Sequence, residues 1–180
     1  MEESSTPQGS SRQDLLYAEV LDDFAGAIDR LARAYELNVE ERRDLVQEIH
    51  FALWRSLATF DERCSLRTWV YRVAHNTATS HVVRQRRTNA SLVSLDEVES
   101  LADESRGETA LDEHHKLERL YRFIQQLNPL DRQIVVLYLE DLDAAAIGEI
   151  TGISPGNVAT RIHRVKNILA RRLGAGERHA

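Results

Sequence analysis

Between Asp44 and Arg87 the chain reads DLVQEIHFALWRSLATFDERCSLRTWVYRVAHNTATSHVVRQRR. Leu45, Val46, Ile49, Leu53, Trp54 and Leu57 recur at steps of three and four, which predicts an amphipathic helix over about 41–57. A short polar segment, Thr59 to Cys64, interrupts the pattern. Ser65 then has the chemistry of an N-cap, and Leu66, Trp69, Val70, Val73 and Thr77 mark the inward face of a second helix. That helix ends near Arg84, Arg86 and Arg87, a charge suited either to a helix C-terminus or to phosphate. Nothing in the stretch alternates with a period of two, so it belongs to an all-α protein.

The same periodicity extends outward on both sides. Upstream, Tyr17, Val20, Leu21, Phe24, Ile28, Leu31 and Tyr35 form one apolar stripe on a helix expected over about 12–37. Asn38 should cap the next helix, with Glu41 as its capping-box partner. Downstream, 88–109 is polar, acidic and weakly periodic, and reads as a flexible linker. A second helical block follows. Leu117, Leu120, Ile124 and Leu127 mark one helix, and Pro129 opens another with Ile134, Val135, Leu137 and Tyr138. Asp143 caps a short helix that Gly152 closes. Ser154 and Pro155 open the last helix, with Val158, Ile162, Val165 and Leu169 inward. The expected organisation is a disordered tail at 1–11, a helical domain at 12–87, the linker at 88–109, a second helical domain at 110–174 and a tail at 175–180.

The net charge of -6 is poorly suited to nucleic acid as a sum, but its distribution is not uniform. Arginines concentrate in 61–87, a second basic set (Arg161, Arg164, Lys166, Arg171, Arg172) occupies the last helix, and the acids of 88–109 lie between them. Local positive faces can hold phosphates on an acidic chain. The single cysteine, Cys64, fits a reducing cytoplasm and the role of a small packing residue. No apolar run is long enough for a membrane span, and the polar N-terminus has no signal-peptide core. His75 and His81 do not share a helix face, nor do His114 and His115, so no metal site is expected. No cofactor motif is present, and no polar set converges as an enzyme would need. Trp54 and Trp69 lie on apolar faces and read as core residues.

The C-terminal block ends in a helix-turn-helix pattern. Ile147, Ile150, Ile153, Val158 and Ile162 would fix two helices at an angle. The outer face of the second carries Asn157, Thr160, Arg161, His163 and Arg164, types suited to base edges and phosphates in a major groove. An ordinary helical hairpin with a solvated basic face would look similar.

Two longer patterns bear on that choice. Asp44 to Glu48, Phe60 and Asp61, Ser65, Arg67 to Trp69, and Arg72 to Asn76 follow the order D-L-V-Q-E, F-D, S-x-R-T-W and R-[IV]-A-x-N. This closely resembles region two of the extracytoplasmic-function (ECF) sigma factors, subunits of bacterial RNA polymerase that read promoters. Leu127 to Leu137 and Gly152 to Val165 resemble region four of the same family. The order Asn128-Pro129, Asn157 in place of Thr, Ala159 in place of a basic residue, and Asp143-Ala-Ala-Ala in place of Ser-x-x-Glu depart from the usual form and put the promoter sequence read in doubt.

The resemblance implies a function and a division of labour. A cytoplasmic, non-enzymatic factor would bind core RNA polymerase, at the beta-prime clamp helices and the beta flap, and direct initiation at promoter DNA. Asp44, Leu45, Gln47, Glu48 and Arg55 would contact the polymerase. Phe60, Asp61, Arg63, Cys64, Ser65, Arg67, Arg72 and Asn76 would hold the minus-ten strand, with one base flipped into a pocket. Asn157, Thr160, Arg161, His163 and Arg164 would read the minus-thirty-five duplex. The acidic linker would occupy the RNA channel, and an anti-sigma factor is an expected partner. The alternatives are a helix-turn-helix regulator that acts without polymerase, which the first pattern opposes, and a small helical enzyme.

Overall fold

The computed structural model describes residues 8–86 and 113–174. The expected linker, residues 1–7, Arg87 and the tail at 175–180 lie outside the described residues. The described residues form seven α-helices and no strand: α1 (Gln8–Tyr35), α2 (Val39–Leu57), α3 (Leu66–Arg86), α4 (Glu113–Gln126), α5 (Pro129–Leu139), α6 (Ala144–Thr151) and α7 (Pro155–Gly174).

Helices α1 to α3 pack as a three-helix unit. Leu45, Ile49, Leu53 and Leu57 fall every four residues along α2 and are all buried. They meet Ile28, Leu31 and Tyr35 of α1 and Val70, Ala74 and Ala78 of α3 in one core. Replacing one such leucine by alanine costs about 2–5 kcal/mol in comparable cores. Asn38 caps α2 as expected, accepting from the Glu40 and Glu41 N–H groups at 2.9 and 3.2 Å. The reciprocal capping-box bond comes from a different residue. Glu36, not Glu41, accepts the Asn38 N–H at 2.8 Å, and Glu41 instead receives the Gln85 amide of α3.

Helix α1 starts four residues before its expected beginning, so Gln8 to Ser11 are helical and not tail. Its first turns are held by tertiary contacts rather than by propensity. Arg12 pairs with Glu62, the Gln13 amide donates to the Trp54 carbonyl, and the Trp54 indole donates to Asp14 at 3.2 Å.

Helices α4 to α7 form the second unit, with Ile124, Leu127, Ile134, Leu137, Ile147, Val158, Val165 and Ile168 buried at its centre. Asn128 caps α5 and Asp143 caps α6. Gly152 closes α6 in the left-handed conformation at φ 78°. Gly148 is required by close approach: a Cβ there would lie 2.7 Å from the Ile153 carbonyl oxygen. The α5–α6 turn is a Schellman motif. Its left-handed position is Asp141 at φ 59°, with Leu142 N–H bonding Leu137 and Asp141 N–H bonding Tyr138.

Candidate nucleic-acid interface

One face of α2 is bare. Asp44, Gln47 and Arg55 are exposed at steps of three and eight, and Phe51 lies between them at 64% exposure. Leu45 departs from its expected role, because it is fully buried and supports this face from beneath. Glu48 is engaged inside the unit, paired with Arg84 and 3.6 Å from His81. Trp54, expected in the core, is 41% exposed.

The loop between α2 and α3 presents Asp61, Arg63 and Ser65 to solvent, with Cys64 half-buried. Arg63 pairs with Asp61 at 3.0 Å, and Ser65 caps α3 by accepting the Thr68 N–H at 3.1 Å. Phe60 departs from the expected strand contact. It is 5% exposed and packs on Trp69 with ring centroids 5.3 Å apart, so it holds the loop from below. From the start of α3, Arg67, Arg72 and Asn76 point out of the core.

In the helix-turn-helix, Asn157, Thr160 and His163 are exposed along α7, and Arg164 is half-buried. Val158 and Val165 are buried as expected, joined by Ile168, while Ile162 and Leu169 are only half-buried. Arg161 is not simply presented to solvent. It reaches back to Asp131 of α5, whose side chain is 1% exposed, and donates to Asn157 at 3.0 Å. Asp131 also takes a hydrogen bond from Asn128 at 2.6 Å. Arg161 is thus a strut between α5 and α7.

The two units touch. Arg30 of α1 grips the Glu140 carboxylate with two hydrogen bonds, at 2.6 and 2.7 Å. That bond raises the Arg30 pKa further above its already high value. Arg67 donates to the Glu140 carbonyl at 2.8 Å and Arg72 to the Glu149 carbonyl at 3.0 Å. Arg132 of α5 lies over the Tyr35 ring, 5.1 Å from its centroid. Tyr35 and His75 share a buried hydrogen bond of 3.0 Å, and burial pushes the His75 pKa down to about 3 and that of Tyr35 up to about 12.

The sigma-70 region 2 family model matches residues 21–88, and the sigma-70 region 4 model matches residues 117–169. The ECF RNA polymerase sigma-E factor of Escherichia coli K12 is 31% identical over 136 residues, covering 70% of each chain. The chain belongs to the ECF sigma factors.

The ECF RNA polymerase sigma factor SigW of Bacillus subtilis is 27% identical over 165 residues, 87% of this sigma factor and 88% of that one. The solved structure of CnrH in complex with the cytosolic domain of CnrY shares the fold, with a TM-score of 0.66 at 20% identity over 93% and 94% of the two chains. As a sigma factor, the chain acts in promoter-directed transcription initiation with RNA polymerase. The region 2 match sets aside a helix-turn-helix regulator that needs no polymerase. No helix among the described residues is long and apolar enough to cross a membrane.

Sequence reasoning missed Phe51, Arg30 and Glu140. Phe51 interrupts the polar side of α2 and could have been found as a large apolar residue off the core stripe. Arg30 and Glu140 are 110 positions apart, and no local pattern joins them.

Proposed function

We propose that this sigma factor docks on core RNA polymerase, at the beta-prime clamp helices, through the bare α2 face of Asp44, Gln47, Phe51 and Arg55. The loop 61–65 and the first turns of α3 hold the non-template minus-ten strand through Arg63, Ser65, Arg67, Arg72 and Asn76. Helix α7 reads the minus-thirty-five duplex through Asn157, Thr160, His163 and Arg164, with region 4 against the beta flap. The unit containing 12–87 therefore serves polymerase and single strand, and the unit containing 110–174 serves duplex. The acidic segment 88–109 lies in the RNA channel. The observation that carries the docking reading is Phe51, a phenylalanine 64% exposed and flanked by charge. Exposed aromatics ringed by polar residues are the usual anchors of protein interfaces.

The helix-turn-helix geometry favours α7 as reader. Its exposed hydrogen-bonding side chains lie at the N-terminal end, where a recognition helix reaches deepest into the groove. Ala159 is exposed in this row and supplies no donor, so one contact common in the family is missing. A protein partner of anti-sigma type is also proposed, supported by the likeness to CnrH, which was solved bound to the cytosolic domain of CnrY.

The test is run-off transcription with purified core polymerase, mapping starts on genomic DNA. Specific starts with the wild type support the reading. Phe51→Ala should lower polymerase affinity about tenfold while retaining helicity. A wild type that neither binds polymerase at micromolar concentration nor starts at defined sites overturns it.

A further inference from the structure

We propose that Asn157 reads its minus-thirty-five base as a hydrogen-bond donor only, because Arg161 holds its amide oxygen, and that the base it selects is guanine. This rests on the assignment of α7 to the minus-thirty-five duplex and adds to it one preference at one base pair. The contacts that set it start inside region 4. The Asp131 side chain, in the first turn of α5, is 1% exposed. One of its oxygens accepts from the Asn128 amide at 2.6 Å, and the other accepts from a terminal nitrogen of Arg161. A charge-assisted bond to a buried carboxylate fixes the plane of the guanidinium. The same plane donates its Nε–H to Asn157 Oδ1 at 3.0 Å, across one turn of α7.

A guanidinium has donors and no acceptor, so the oxygen end of the Asn157 amide must be the end that meets it. The amide is planar, and its NH2 group is left on the other side of an exposed residue near the start of α7. Asparagine recognises adenine by giving an N–H to N7 and accepting from N6 on its oxygen at the same time. With Oδ1 turned along the helix to Arg161, that two-bond pair cannot form. The two N–H donors that remain suit guanine, whose N7 and O6 are both acceptors in the major groove.

Thr160 is set the opposite way. Its one hydroxyl hydrogen goes to the Gly156 carbonyl at 2.9 Å, which leaves its lone pairs to accept. The exposed row of α7 therefore offers a donor at 157 and an acceptor at 160. Arg161 is a positioning residue in this scheme. It acts on the base through Asn157, and Asp131 in turn holds it in place.

The experiment is transcription by the full chain with core polymerase from promoters randomised at the minus-thirty-five element. Asn157→Ala identifies the base pair concerned, as the position where preference disappears. At that position the wild type should favour guanine over adenine about tenfold. Asn157→Asp keeps the bond to Arg161 and replaces the donor with an acceptor, so the preference should turn to cytosine, whose N4 is a donor. Arg161→Lys keeps a cation for Asp131 but lacks the planar fork that meets both partners. The amide is then free to turn, and the ratio of guanine to adenine should fall toward parity at that position and at no other. A purely structural role for Arg161 would instead weaken all promoters evenly. Adenine favoured by the wild type, guanine still favoured by Asn157→Asp, an unchanged ratio in Arg161→Lys, or no position that responds to Asn157→Ala overturns the proposal. Thr160→Ala and Arg164→Ala test the underlying assignment separately. If they change promoter preference, α7 is the reader whatever Asn157 does; if neither they nor Asn157→Ala changes preference or strength, the assignment of α7 fails and the proposal with it.

Discussion

The two regions of this sigma factor use arginine in opposite ways. In region 4, Arg161 is tied within its own domain to a carboxylate that is 1% exposed. In region 2, Arg30, Arg67 and Arg72 are bound to groups of the other domain at a polar surface. The first arrangement ties two helices of one unit together, and the second ties the two units to each other. A basic residue in a DNA-binding motif is therefore not by itself a DNA contact; what its guanidinium already holds decides.

That contrast is broken most directly at Asp131. Asp131→Ala strands Arg161 and removes a partner of the α5 cap, and should cost about 3 kcal/mol in urea denaturation. A loss below about 1 kcal/mol would mean that Arg161 is not a strut of the domain and is available to DNA. Gly148→Ala tests the rigidity of the same domain. The added methyl meets the Ile153 carbonyl, and overpacking of this kind costs about 2 kcal/mol. Duplex binding at the minus-thirty-five element should fall with it in an electrophoretic shift assay.

Region 2 carries its own buried polar pair, Tyr35 with His75, and its response is to pH. His75 has a depressed folded-state pKa of about 3 against an ordinary 6.5. The unfolded chain therefore binds a proton first as pH falls. The contribution of His75 is whole above about 6.5 and is lost progressively toward 3. Between pH 7 and pH 5 this should remove about 2 kcal/mol, and His75→Gln should flatten that loss in denaturation curves. Equal pH dependence in the two proteins would show that the histidine is not held neutral. The smallest effect is expected at the exposed side of the contrast. Arg12→Ala, which breaks the exposed pair with Glu62, should change stability by less than about 1 kcal/mol. Thermal melting would check it, and a larger loss would show that the first turns of α1 hold region 2 together.

Most helix ends were legible in sequence because caps act locally. Asn38, Ser65, Asp143 and Gly152 each satisfy backbone groups within three or four positions of themselves. The candidate sites were legible as segments and only partly as residues. Leu45 and Phe60 belong to the family pattern, yet they are buried, because a motif includes residues that shape a contact face as well as those that form it. Glu36 took the capping bond assigned to Glu41, since Glu41 had a tertiary partner in Gln85 that no helical spacing reveals. Arg161 looked like a reader until Asp131, thirty positions away, claimed it. Misreadings of this kind arise from pairings between helices, which local periodicity does not encode.

The two tryptophans have a practical consequence. Trp54 is partly exposed on α2, beside the stripe proposed to dock on polymerase, while Trp69 is half-buried against Phe60 with its indole N–H on Ser56 at 3.0 Å. The chain therefore carries two intrinsic optical probes in different solvents: a red-shifted one on the face proposed for polymerase, and a blue-shifted one beneath the loop proposed for the single strand. Iodide should quench Trp54 preferentially. With each replaced in turn by phenylalanine, emission would follow the two encounters separately, with no dye attached and no cysteine introduced.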